Sequence, residues 1–220
     1  QVLAKGVKAF AMKVDVSKAE EVEAFAARAD KDLGGAHLVC NNAGVSPLGA
    51  AWETSVDDWR WIMGVNVWGV IHGVEAFLPA MLASGEEGHI VNTASMNGIV
   101  PSAFSAMYST GKYGVMGLTE TMRNELEGTA VGISVLCPAA VATDILNSAR
   151  HRPARLGPAA TPRERDYPPL DGVMAPEQVA DITFAGLRER RFWILTHPGQ
   201  GASAIRARAE DIVAGRNPGD

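Results

Sequence analysis

HLVCNNAG (residues 37–44) moves from a short apolar run straight into a polar turn that ends on glycine. An apolar run of that length, closed by Asn and Gly, predicts a buried strand and then a sharp loop. A helical segment precedes it. Val22, Phe25, Ala26 and Leu33 recur at helical spacing over residues 18–33, and Gly34 and Gly35 end the run. Ser17 and Glu20 stand at the spacing of a capping box. The same alternation continues outward. Residues 8–14, 37–40, 89–93, 133–137 and 192–196 predict strands. Helices are predicted over 56–83, with Thr54 and Ser55 as caps, over 106–126, over 176–189 with Pro176 in the first turn, and over 203–214. Strands and helices in alternation, with near-continuous apolar strands, predict an α/β fold: a doubly wound parallel sheet with helices on both faces.

The chain has 220 residues, 47% apolar and 20% charged, enough for one sizeable globular core. Its net charge is −5 and its Lys and Arg are scattered, which leaves no electrostatic footprint for nucleic acid. The most basic stretch, 150–165, is interrupted by prolines and reads as a solvated loop. The most apolar stretch, 67–82, carries His72 and Glu75 and is too short for a membrane span. No secretory signal pattern is present. These features place the protein in the cytoplasm, away from membranes. Cys40 and Cys137 lie inside apolar strand runs without metal spacing, and the five His do not cluster with acids, so buried thiols and no metal are expected. One strand is expected between theirs, which separates them by about 10 Å, beyond disulfide range.

In such sheets, ligands sit at the carboxyl ends of the strands. Asp15, the 41–44 turn, Ser95 and the 138–143 turn all fall at that edge. In MYSTGK (residues 107–112), Tyr108 and Lys112 are i and i+4, so both lie on one helix face. Alone, the pair reads more readily as a phenol packed over a lysine stem on a solvated helix. The clustering of polar turns at one edge favours a phenol whose proton is controlled by an ammonium. Asn66 sits inside an apolar helical stretch where Asn is a poor helix former. Residues 148–173, rich in Pro and Arg, form either a disordered insertion or a lid over the site.

Asn42-Ala43-Gly44, Asn66, Ser95 and Tyr108-Ser-Thr-Gly-Lys112, in this order and spacing, resemble the short-chain dehydrogenase/reductase family. The likeness runs from about residue 6 to 147. It implies a Rossmann-like fold, a nicotinamide dinucleotide and hydride transfer between it and an alcohol or ketone. By this resemblance Tyr108 is the acid–base residue, and Lys112 lowers its pKa and holds the nicotinamide ribose. Ser95 holds the substrate oxygen. Asn66 kinks its helix and holds a water. Asp15 and Val16 would contact the adenine, although Asp15 equally suits a helix cap. Asn42, Ala43 and Gly44 would pass the adenosine ribose, with Gly44 permitting close approach and a positive φ. Pro138, Val141 and Thr143 would face the nicotinamide, and Gly111 would leave room for it. The family's Pro-Gly is Pro138-Ala139 here.

A free phenol near pKa 10 needs a shift of about three units, roughly 4 kcal/mol, to act as a base at neutral pH. Lys112 and the oxidised nicotinamide are the expected sources. The family's opening strand and Gly-rich pyrophosphate turn are not found before residue 6. The expectation is therefore a domain lacking its first βαβα portion, which by itself binds dinucleotide weakly. The residue that separates NAD from NADP is not identified, and the resemblance leans to NAD.

Residues 81–90, 133–139 and 147–155 resemble Cα-dehydrogenases of lignin-derived aryl ethers, which oxidise benzylic secondary alcohols. Met96, Phe104 and Met107 would then form an apolar pocket, or else simply core. A steroid or acyl ketone reductase and a catalytically silent regulator of the same fold are the alternatives. The intact Asn66, Ser95, Tyr108 and Lys112 set speaks against a silent regulator. No G-x-S-x-G elbow supports a hydrolase. Family members assemble through the helices near 56–83 and 106–126, so a homodimer or homotetramer is expected.

Overall fold

The computed structural model describes residues 5–157 and 172–218. Four parallel strands lie in the order β1-β2-β3-β4: Leu38–Asn41, Gly88–Thr93, Val131–Cys137 and Trp193–Leu195. The helices are α1 (Ala19–Leu33), α2 (Val56–Met63), α3 (Gly69–Ser84), α4 (Ala106–Glu125), α5 (Pro176–Arg188) and α6 (Pro198–Ala214).

The two sheet faces separate by residue parity, as the pleat requires. Val39, Ile90 and Ile133 point to α3 and α4, where Met81, Met122 and Leu126 complete the cluster. Val135 and Cys137 continue that face against Val115 and Met116. Val91, Leu136 and Ile194 point the other way, to Val179, Ile182 and Leu187 of α5.

Several expectations are corrected. Residues 8–14 form no strand. Among the described residues no neighbouring strand pairs with them, and an isolated apolar segment has no ladder to join. Ser17 and Glu20 form no capping box. Asp15 Oδ1 instead takes the Ser17 amide at 3.1 Å and hydroxyl at 2.7 Å, and Glu21 accepts from the Asp15 amide. Cys40 is exposed, because no described helix covers its face of β1; Cys137 is buried. Both are free, and β2 lies between their strands. The last helix starts at Pro198, earlier than expected.

Residues 56–84 are one continuous 29-residue helical run, long and apolar enough by length and composition to cross a membrane. The shortfall expected from 67–82 alone therefore does not hold. In this fold Val74, Phe77, Leu78 and Met81 of that run pack on the sheet. Ser55 caps the run in a true capping box with Asp58. The middle, Gly64–Trp68, is a π turn. Residues 158–171 of the expected substrate loop lie outside the described residues.

Candidate active site

The carboxyl ends of β1, β2 and β3 open into one cleft of about 700 Å³. Asn42, Ala43, Gly44, Tyr108, Lys112, Pro138, Val141 and Thr143 all line it. Ser95 stands on the turn after β2, close enough to Tyr108 to pull the pKa of its phenol down. The Ser95 hydroxyl is itself fixed: it accepts from the Asn97 amide at 3.2 Å and donates to the Pro138 carbonyl at 3.4 Å.

Lys112 is buried, with Nζ donating to the Thr93 carbonyl at 2.7 Å and standing 5.6 Å from the Tyr108 ring centre. Burial lowers its pKa to about 8, against an opposing pull from Cys137. Burial in turn pushes the Cys137 thiol up to about 12, so it faces Lys112 as a neutral group. Tyr108 departs from expectation. Burial raises its phenol above the ordinary value, and the Ser95 hydrogen bond only partly offsets this. Lys112 alone therefore does not make Tyr108 a base. A further positive charge beside the phenol is needed.

Asn66 lies in the π turn with no exposed surface. Its Oδ1 accepts from the Val45 amide and its Nδ2 donates to the Val45 carbonyl, both at 2.9 Å. The side chain thus closes a two-bond clasp on the residue after the NNAG turn. π turns arise where an extra residue is fitted into a helix, often beside a functional group. Gly44 does not have the positive φ expected of it. A Cβ there would lie 3.5 Å from Asn66 Oδ1 and 3.6 Å from Lys112 Nζ. Gly111 makes room for Asn66, whose Cβ would be 3.4 Å from an added methyl.

Asp15 and Val16 do not line the cleft; Asp15 organises the start of α1. Val16 is gripped by α3, a contact absent from the sequence reading. His72 Nδ1 donates to the Val16 carbonyl at 2.9 Å, and a Cβ on Gly69 would strike the Val16 side chain at 2.7 Å. Met107 is core, packed with Val45, Trp61 and Ile62. Met96 packs on Gly201 of α6, and Phe104 stands at φ 59° at the rim of the 102–105 turn. None of the three lines the cleft.

The model of the family described as short chain dehydrogenase matches residues 1–154. The chain belongs to the short-chain dehydrogenase family. It is 35% identical over 185 residues to a C alpha-dehydrogenase of Sphingobium sp. (strain NBRC 103272 / SYK-6), covering 82% of this chain and 59% of that protein. It therefore spans less than two thirds of that relative's length. A 1-deoxy-11-beta-hydroxypentalenate dehydrogenase of Streptomyces exfoliatus is 32% identical over 90% of this chain and 68% of its own. The crystal structure of a short-chain dehydrogenase from Burkholderia phymatum in complex with NAD matches with a TM-score of 0.90 and 40% identity. That match covers the whole of this chain and 81% of the other. The short-chain dehydrogenase fold accounts for the parallel sheet and for the edge at which the cleft opens.

Proposed function

We propose that this chain carries the hydride-transfer site of an NAD(P)-dependent dehydrogenase acting on secondary alcohols and their ketones. The observation that carries the reading is the set at the strand ends: Tyr108 beside Ser95, the buried Lys112 ammonium 5.6 Å from the Tyr108 ring, and Asn66 behind. The residues present fit the nicotinamide-ribose end of a dinucleotide. Gly44 leaves a side-chain-free approach to Lys112 Nζ, and that ammonium spends one donor on Thr93. When bound, the dinucleotide supplies the hydride acceptor or donor and, in its oxidised form, a positive ring.

In oxidation, Tyr108 takes the hydroxyl proton of the alcohol as its carbon gives up hydride; in reduction, Tyr108 returns that proton to the carbonyl oxygen. Ser95 holds the substrate oxygen beside the phenol. Lys112 holds the ribose and, protonated at neutral pH with a pKa near 8, stabilises the phenolate. Asn66 keeps the NNAG turn and the π turn in register. Pro138, Val141 and Thr143 form the nicotinamide wall, and Asn42 and Ala43 the ribose wall. Asp15 and Val16, the latter with its carbonyl held by His72, are assigned to the adenine side.

NAD is favoured over NADP, since the similar Burkholderia structure holds NAD. A benzylic or other aromatic alcohol is the favoured substrate, from the C alpha-dehydrogenase likeness. Residues 1–220 read as one dinucleotide-binding oxidoreductase domain with 148–173 as its substrate loop. A cytoplasmic homodimer or homotetramer joined through α3 and α4 completes the reading. Absorbance at 340 nm tests it on the full-length protein, with NAD or NADP and a panel of benzylic and alicyclic secondary alcohols. Reduction of NAD by a benzylic alcohol is expected. Dinucleotide binding without turnover on any alcohol or ketone would instead identify a silent regulator.

A further inference from the structure

Residues 144–157 follow the cofactor wall after β3 as two short 3-10 turns, Asp144–His151 and Ala154–Leu156. Ile145, Ser148 and His151 of this segment line the cleft that Tyr108 also lines. Connecting segments at such mouths are ordinarily solvated and held by few contacts. This one is tied down at three points. Ser148, 3% exposed, accepts from the Ser46 amide at 2.9 Å. Arg152 Nε donates to Asp58 Oδ1 at 2.8 Å, and only 4% and 7% of the two side chains remain exposed. Leu156 packs on the cluster of Val45, Trp61, Ile62 and Met107.

Both partners of the ion pair make further bonds. Arg152 Nη1 donates to the Leu156 carbonyl at 2.8 Å and also to that of Gly157. Asp58 Oδ2 accepts from the Ser55 hydroxyl at 2.7 Å and the Ser55 amide at 3.0 Å, so the first turn of α2 fixes the carboxylate. A buried ion pair offsets its desolvation only when its geometry is held and its remaining donors and acceptors are satisfied. Here the geometry is held from both sides, between a helix cap and a loop 94 residues away in sequence.

We infer that Asp58 and Arg152 are positioning residues of the substrate side, a latch that holds residues 144–157 as a preformed wall of the cleft. The substrate then meets a built surface rather than a loop that orders around it. The kinetic part rests on the hydride-transfer reading above; the structural part does not. A wall ordered in advance removes an entropy cost from substrate binding. Tyr108, Lys112 and Ser95 stand on α4 and the turn after β2, so loosening the wall raises KM and spares the proton-transfer step.

Amide hydrogen exchange tests the latch in the wild-type chain and in Arg152→Met, Arg152→Lys and Ser148→Ala. Wild-type residues 144–157 are expected to be protected. Arg152→Met should lose about ten-fold or more of that protection there alone, with β2, β3 and α4 unchanged. Arg152→Lys keeps the charge but not the forked donors and should fall between. Free exchange of 144–157 in the wild type, or unchanged protection in Arg152→Met, would overturn the latch. If Arg152→Met does not fold, Arg152→Lys and Ser148→Ala decide by the same criterion. With 1-phenylethanol and NAD, Arg152→Lys should raise KM several-fold while kcat stays within about three-fold. A fall in kcat at unchanged KM would contradict the positioning role. An inactive wild-type chain would count against the hydride-transfer reading and leave the exchange data to judge the latch.

Discussion

Lys112 is an ammonium held in a place that disfavours ammonium, and that tension can be measured without any substrate. Its pKa falls from 10.5 to about 8 on burial. The native chain therefore releases this proton first, and between pH 8 and 10.5 the unfolded chain holds more of it. Stability contributed through this group must rise with pH across that window, by about 3 kcal/mol in total. Lys112→Met removes the proton from both states. Urea unfolding of the two proteins at pH 8 and pH 10 should show the wild type gaining on the variant as pH rises. A flat difference would mean that the ammonium is not buried. The four side chains of the proposed set were legible from their place at one sheet edge together with the family resemblance, not from the Tyr108–Lys112 spacing alone. Their partners were not. The Val45 clasp on Asn66, the Thr93 carbonyl under Lys112 and the His72 grip on Val16 join residues 19 to 56 positions apart. Such contacts leave no periodic trace in sequence. Burial of the phenol, which raises its pKa in the absence of a dinucleotide, is likewise a property of the packed fold.

Among the elements, the run from Val56 to Ser84 does the most to position the cleft. Its π turn presents Asn66, Gly69 gives Val16 its space, and Gly73 accommodates the Asn41 side chain. A methyl at Gly73 would fall inside the Asn41 amide, which otherwise donates to Asn92 Oδ1 at 2.9 Å. Gly73→Ala should therefore destabilise the chain by about 2 kcal/mol, through a displaced buried hydrogen bond and overpacking. Gly117→Ala is the control in the same thermal scan: an added Cβ there meets open space, and helix propensity should raise its Tm slightly. Equal behaviour of the two would remove the packing argument. Helix periodicity showed this run and its cap at Ser55, because amphipathic spacing and capping chemistry are local. The π turn was not readable, since one inserted residue barely alters the apolar pattern. The failed Ser17–Glu20 box shows the converse: a good local signal lost to Asp15, which offers a carboxylate nearer both Ser17 donors.

At the scale of the whole molecule, the alternation of apolar runs was sufficient for a parallel sheet, and the order β1-β2-β3-β4 follows from it. Residues 8–14 have strand composition but no ladder, because a strand is defined by its neighbour and not by its own side chains. The same dependence exposes Cys40, whose face of β1 no described helix covers. With Cys137 buried two strands away, intact mass before and after reductant should be identical for the monomer. A loss of two hydrogens in the untreated sample would contradict the strand order.

If the reading is right, the chain's chemistry passes through the Tyr108 phenol. The direct test compares wild type and Tyr108→Phe by absorbance at 340 nm, with NAD and a benzylic secondary alcohol. Phenylalanine keeps the ring over Lys112 and removes only the phenol oxygen. Turnover should fall by about two to four orders of magnitude, with dinucleotide affinity nearly unchanged. A Tyr108→Phe protein that turns over at the wild-type rate would contradict the account.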